Sequence, residues 1–240
     1  MVALTSQIVT RKQLLIHDIR SMYDLYSRYY DACDMDSFEK DMKEKDYVIL
    51  LTNPCGDIQG FSTLMVLDFV YEEQTMRAIY SGDTIIHHQH WGSQVLLKAW
   101  SRIAGSIKRE KPDVRLFWFL IVKGYRTYRY LPVFTKNFYP SWRYETPVHI
   151  ERIMNYLASF KFGNAYDSET GIIRFEESHG HLKGQWADVP ERVSGHKDVA
   201  YFLHKNPGYV NGHELVCFTE LDEANLKSFA YSAFCETELS

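Results

Sequence analysis

At 240 residues the chain is long enough to bury a sizeable core as one large domain, and 45% hydrophobic residues suits a globular protein. A net charge of −4 excludes a chain that coats nucleic acid, no apolar run reaches the length of a membrane span, and the first residues lack a charged-then-apolar leader. Cys33, Cys55, Cys217 and Cys235 are far apart with no C-x-x-C spacing, so they read as free thiols of a cytoplasmic protein, not as a disulfide or zinc framework.

Leu14, Leu15, Ile19, Met22, Tyr23, Tyr26 and Tyr30 recur at helical spacing, which predicts an amphipathic helix over 12–32. A short charged helix is expected over 37–45, capped by Asp36 or Ser37. A buried strand at 47–51 turns through Asn53-Pro54-Cys55-Gly56-Asp57 and returns at 58–69 as a hairpin. A second turn at 72–75 leads to a strand over 78–86, broken only by Ser81-Gly82-Asp83. From Gly92 onward Val95, Leu96, Trp100, Ile103 and Ile107 follow helical spacing; Gly92 allows a tight turn and Ser93 suits the N-cap. A helix start that comes directly after a strand offers unpaired N–H groups and the positive end of a dipole, which suits a phosphate.

Beyond Lys111-Pro112-Asp113, the strand at 114–122 reads FWFLIV without a break, which implies burial on both faces and a central position. Lys123-Gly124 opens a helix carrying Tyr128, Leu131, Phe134 and Phe138, kinked at Pro132. A helix over 147–160 is followed by a polar excursion at 161–193 with one strand at 171–175. Strands at 199–203 and 214–218 and a helix over 221–234 complete the chain. Between Lys98 and Arg143 there are eleven Lys or Arg against only Glu110 and Asp113, a basic sector that suggests an anionic partner such as a phosphorylated cofactor or an acidic carrier protein.

This order, with Gln89-His90-Trp91-Gly92-Ser93-Gln94 after the fourth strand of the series, resembles the GNAT superfamily of N-acyltransferases, whose signature is Gln/Arg-x-x-Gly-x-Gly/Ala. The match fails only at Gln94, and KGYRTYRYLPVFTKNFYP at 123–140 resembles a bacterial GNAT-like subgroup. The resemblance implies an α/β fold: a mixed, mostly antiparallel central sheet flanked by helices, here a single domain over 1–240 with a family-atypical excursion at about 141–195 before the last strands. It implies that the backbone of Gln89, His90, Trp91, Gly92, Ser93 and Gln94 cradles the pyrophosphate of coenzyme A or of carrier-borne phosphopantetheine. It further implies a backbone N–H near Ile85 or Ile86 directed at the thioester carbonyl. The family's tyrosine acid has no counterpart, since Val133 or Phe134 stands in its place; Tyr128 or Tyr130 could substitute.

Acyl transfer to an amine also needs a base. Asp83 beside Gly82 is the candidate, provided burial raises its pKa; alternatively Ser81-Gly82-Asp83 forms only a bulge. His87 or His88 can help to deprotonate the acceptor, while His90 faces solvent or phosphate. A metal is not expected, because no cysteine or paired carboxylate completes a set around these histidines, and His179 and His181 are equally unsupported. Trp91 is either a lid over the cofactor or a packing residue. Lys123, Arg126 and Arg129 share a helix face, with Arg126 directed at a cofactor phosphate or an acidic carrier protein.

The expected function is transfer of an acyl group, with a lean towards a long chain, from acyl-CoA or an acyl carrier protein to a small-molecule or peptide amine. Attack is direct, without a covalent intermediate. The rival is a catalytically inactive GNAT-like module that binds a ligand or partner. Nucleic-acid binding is disfavoured by the acidic remainder of the chain.

Overall fold

The computed structural model describes residues 3–176 and 180–237. In chain order the elements are β1 (Thr5–Thr10), α1 (Ile16–Tyr26), β2 (Tyr30–Asp31), α2 (Met35–Lys43), β3 (Tyr47–Thr52), β4 (Ile58–Tyr71), β5 (Gln74–Ile86), α3 (Val95–Glu110) and β6 (Arg115–Val122). They continue with α4 (Tyr125–Tyr128), α5 (Leu131–Phe134), α6 (Val148–Phe162), β7 (Tyr166–Asp167), β8 (Ile172–Ile173), β9 (His181–Leu182), α7 (Gly184–Ala187), α8 (Glu191–Ser194), α9 (Lys197–Lys205), β10 (Glu214–Glu220) and α10 (Ser228–Phe234). Among the described residues no helix is long and apolar enough to cross a membrane.

Eight strands form one sheet in the order β1-β3-β4-β5-β6-β10-β8-β7, while β2 and β9 pair separately. Neighbours in the large sheet are antiparallel except β5 and β6, which run parallel because α3 carries the chain back between them. The mixed, mostly antiparallel α/β sheet expected from the sequence is therefore present.

Side chains alternate across the sheet and give it two differently covered faces. Leu64, Ile79, Ile86, Trp118, Leu120 and Cys217 pack on one face against α3, α9 and α10. The other face carries two separate helical covers. Helices α1 and α2 lie over Val48, Leu50, Phe61 and Ile85, and α6 lies over Ala78, Tyr80, Phe117, Phe119 and Phe218. The apolar run in β6 is buried on both faces, as its composition requires, with Phe117 and Phe119 on one side and Trp118 and Leu120 on the other. Ser81 anchors the first face: its Oγ accepts hydrogen bonds from the indoles of Trp118 and Trp100 at 2.8 and 3.3 Å.

Several boundaries differ from expectation, each for a physical reason. The edge strand β1 carries no clear sequence signal, since Thr-Ser-Gln-Ile-Val-Thr shows little apolar pattern; its pairing with β3 decides it. The first helix stops at Tyr26 rather than 32, because the chain turns so that Tyr30 can pair with Leu182. Helix α2 is capped by Asp34, whose Oδ1 accepts the Ser37 N–H at 2.8 Å, rather than by Asp36 or Ser37. The expected strand at 199–203 is helix α9: Val199 and Phe202, three apart, are the buried pair, a spacing that also occurs by chance in a short β-branched stretch. The closing helix is shorter than 221–234. Asp222 accepts the Asn225 N–H at 2.7 Å in a local turn, and helix begins only at Ser228. The helix after Gly124 is divided into two single turns, with Pro132 in the first turn of α5.

Candidate active site

The site begins with one extra residue. Opposite Thr63 of β4, strand β5 places both Gly82 and Asp83, so the register shifts between Ser62 and Leu64. Such a bulge bends its strand and reverses the facing of the residues beyond it. Here the β5–β6 ladder ends at the Ser81–Leu120 pair, and the last residues of β5 have no partner on that side. Gly82 is required for this approach: a Cβ there would lie 2.6 Å from Thr63 Oγ1 and 3.0 Å from Lys45 Cε. Beyond the bulge, His87 donates its N–H to the Gln59 carbonyl at 2.8 Å. Alternation along the strand then turns Ile85 towards β4 and directs the N–H and C=O of Ile86 into the gap. The Ile86 carbonyl accepts the Trp91 indole N–H at 2.9 Å.

Asp83, the added residue, lines a cavity of about 550 Å³ between the two helical covers. Tyr26 and Phe38 from the α1–α2 side, Tyr80 from the sheet and Phe162 from α6 form part of its walls. Asp41, Glu44, Lys123, Lys161 and Glu214 line it, and Lys45 is paired to the lining Asp41. Lys45, with its side chain fully buried, donates to Asp41 at 2.6 Å; Lys123 lies 3.4 Å from Glu214; Lys161 lies 3.6 Å from Glu44. Asp83 has no hydrogen-bond donor among the described residues. Burial, reinforced by the charge of Asp41 and opposed by Lys123 and Lys45, pushes its carboxyl up to about 6. Burial also raises Glu214 against the pull of Lys123. Burial, with Lys45 nearby, lowers Lys161. Tyr30 lines the same cavity with Lys123 Nζ 5.8 Å from its ring, and burial followed by the Asp83 charge raises its phenol.

The polar turn lies at the end of β5. Gly92 has φ +89°, a left-handed conformation that glycine adopts without strain, and nothing stands within 4 Å of where a Cβ would be. Ser93 does act in the cap, its Oγ accepting the Val95 N–H at 3.3 Å, while Gln94 occupies the N-cap position itself with its side chain making no cap bond. Gln89, Gly92 and Gln94 are exposed; the Ser93 N–H is taken by the His90 carbonyl, while the N–H groups of Leu96 and Leu97 in the first turn of α3 have no intrahelical acceptor. His90, expected to face solvent or phosphate, is buried, so of the two settings the solvent one does not hold.

His88 is held elsewhere than Asp83. Its Nδ1 lies 3.2 Å from the Tyr29 hydroxyl, which also accepts the His88 backbone N–H at 2.7 Å, and Trp186 stacks on its ring at 5.2 Å. Neither His88 nor His87 lines the cavity that holds Asp83. Tyr128 lies in the core, fully buried, donating its hydroxyl to the Pro140 carbonyl at 2.8 Å, so it is not brought together with Asp83. Tyr130 packs beside the same core with its ring 6.3 Å from Phe134. Arg126 is engaged within the fold: its Nη1 donates to the Trp186 carbonyl at 2.6 Å, and its guanidinium covers Trp91 at 4.4 Å.

Trp186 belongs to the segment that reads in sequence as a polar excursion. This segment crosses the ends of both separated strands. Leu182 would meet a Cβ on Gly124, just beyond β6, at 3.0 Å, and Trp186 sits 5.5 Å from Trp91 beyond β5. The gap is thus roofed. The basic sector is also largely spent inside the fold: Arg129 apart, its side chains bond described partners such as Glu236 for Lys98 and Arg102, Glu220 for Arg115 and Asp198 for Arg143. Among the described residues no group of three or more His, Cys, Asp or Glu could hold a metal; His179 lies outside them.

Lys45, Glu214, Lys161 and the tyrosines Tyr26, Tyr30 and Tyr80 do not stand out as site residues in the sequence. A charged residue at a strand or helix end reads as solvated, and only the covers packed across the sheet bury these. The i, i+4 spacing of Tyr26 and Tyr30 is the one available signal, although Tyr30 stacks on Tyr26 from β2, beyond the end of α1.

No family model and no curated protein matches the chain. Solved structures do. A conserved protein from Enterococcus faecalis, described as a probable N-acyltransferase, is 11% identical with a TM-score of 0.42 over 91% of this chain and 66% of that one. A GNAT family N-acetyltransferase from Escherichia coli in complex with CoA is 11% identical with a TM-score of 0.38 over 55% of this chain and 69% of that one. Glucosamine-6-phosphate N-acetyltransferase from Arabidopsis thaliana is 13% identical with a TM-score of 0.36 over 48% and 81%. The mixed, mostly antiparallel sheet flanked by helices, with a bulged β5 and one parallel pair, is of the fold class expected from the sequence.

Proposed function

We propose that the protein is an N-acyltransferase that moves an acyl group from a CoA or carrier-borne phosphopantetheine thioester to an amine. One observation carries this reading: the bulge that opens β5 from β6 also delivers a carboxylate with a raised pKa to a cavity at the same point. The thioester arm would enter the gap, its phosphates at the exposed Gly92 turn and the Leu96 and Leu97 N–H groups and its carbonyl at the Ile86 N–H. Asp83 would take a proton from the ammonium, and the freed amine would attack the carbonyl carbon. The carbon–sulfur bond then breaks, the thiolate takes a proton from a cavity hydroxyl, for which Tyr30 is better placed than the buried Tyr128, and the proton shed by the attacking nitrogen as the amide forms restores that hydroxyl. The exposed free thiols Cys55 and Cys235 suit a reducing, cytoplasmic setting.

Two measurements test this together. Calorimetric titration with CoA should show binding that Gly92→Trp weakens at least about tenfold, because the new side chain stands over the helix start at a left-handed backbone position. Thiol release from acetyl-, octanoyl- and dodecanoyl-CoA and from dodecanoyl carrier protein, with an amine mixture, should identify the donor. No CoA binding and no thiol release from any donor would refute acyl transfer and leave a ligand-binding module.

A further inference from the structure

The cavity holds more charge than one proton transfer needs, and the pairing is uneven. Lys45 has Asp41 at 2.6 Å and Lys123 has the buried Glu214 at 3.4 Å. Lys161 has a weaker arrangement. Its nearest carboxylate, Glu44, is 3.6 Å away with a side chain 54% exposed, and Lys161 shares the Tyr80 ring with a like charge, at 4.6 Å against 5.2 Å for Lys45. Asp83, three residues beyond Tyr80 on the same strand, has no donor among the described residues. Lys161, a weakly compensated cation, and Asp83, a carboxylate without a donor among the described residues, therefore line a single cavity, with the exposed Lys40 as a further cation. Buried charges of this kind are stabilised by a complementary charge supplied by a ligand.

We infer that the acceptor is a free α-amino acid with an apolar side chain, its carboxylate received by Lys161, its amine directed to Asp83 and its side chain among Phe38, Phe162 and Phe175. This rests on the acyl-transfer reading above and names its second substrate. Asp83 follows three residues after Tyr80, whose ring carries Lys161 Nζ at 4.6 Å, so carboxylate and ammonium face the same cavity. A volume of about 550 Å³ exceeds what the amino and carboxyl groups fill and leaves space for the side chain. A polyamine would set a second ammonium against Lys161. A purely anionic acceptor would meet Asp83 and Glu214.

The test compares L-phenylalanine, L-phenylalaninamide, phenethylamine and spermidine in equilibrium binding and in thiol release from the preferred acyl-CoA, with wild type, Lys161→Met and Lys161→Arg. L-Phenylalanine should bind about tenfold or more tightly than the amide, the difference expected for a charged hydrogen bond. Lys161→Met should raise KM for L-phenylalanine by a similar factor, leave kcat and the KM for the amide unchanged, and be rescued by Lys161→Arg. Preference for spermidine or the amide, or equal loss for both in Lys161→Met, overturns the inference. If CoA still binds and spermidine alone is acylated, acyl transfer stands and the amino-acid acceptor does not. If CoA fails to bind and no donor, carrier protein included, releases thiol, both fall.

Discussion

Replacing Asp83 with asparagine should make the protein more stable and less active, with both effects tied to pH. The carboxyl is held at about 6, above the ordinary value of 3.8, chiefly by burial. Between those values the native state keeps a proton that the unfolded chain has lost, so native stability falls as pH rises through the window. A shift of about two units corresponds to about 3 kcal/mol at and above neutral pH, a net figure in which the attraction of Lys123 and Lys45 is already included. Asparagine resembles the protonated acid, so the gain of Asp83→Asn over wild type should be close to zero near pH 4, grow up to pH 6 and level off. Urea unfolding of both proteins from pH 4 to 8 measures it, and taking the difference cancels the other titrating groups. In thiol-release assays wild-type turnover should rise with pH through about 6, and the variant should lose at least about a hundredfold in kcat. A stability difference that stays flat with pH would refute the strained carboxylate, and retained turnover would refute its role as base.

Gly105→Ala should destabilise by several kcal/mol, since a Cβ would lie 1.8 Å from the Phe234 carbonyl oxygen, where α10 crosses α3; urea unfolding should show a large fall in midpoint, and an unchanged midpoint would contradict this packing. Tyr128→Phe should cost about 1 kcal/mol by leaving the Pro140 carbonyl without its donor, while leaving the pH–rate profile of thiol release as in wild type. A loss of turnover greater than the loss of stability would return Tyr128 to the chemistry.

The sequence determined the parts whose signal is local. The FWFLIV strand announced its burial because both faces of a central strand must be apolar, and Gly92-Ser93 announced a strand-to-helix corner through backbone freedom and capping. Asp83 was legible as a candidate because it comes directly after a glycine inside an apolar strand. The surroundings of Asp83 were not legible. Lys45, Glu214 and Lys161 lie at 45, 214 and 161 in the chain and meet only because α2, β10 and α6 converge on the bulge of β5. The same distance effect consumed the basic sector, whose partners at 198, 220 and 236 lie far along the chain. Local pattern reports which faces are apolar. Which charges are buried, and against whom, is set by long-range packing, and that alone decided both the cavity and the fate of Tyr128 and Arg126.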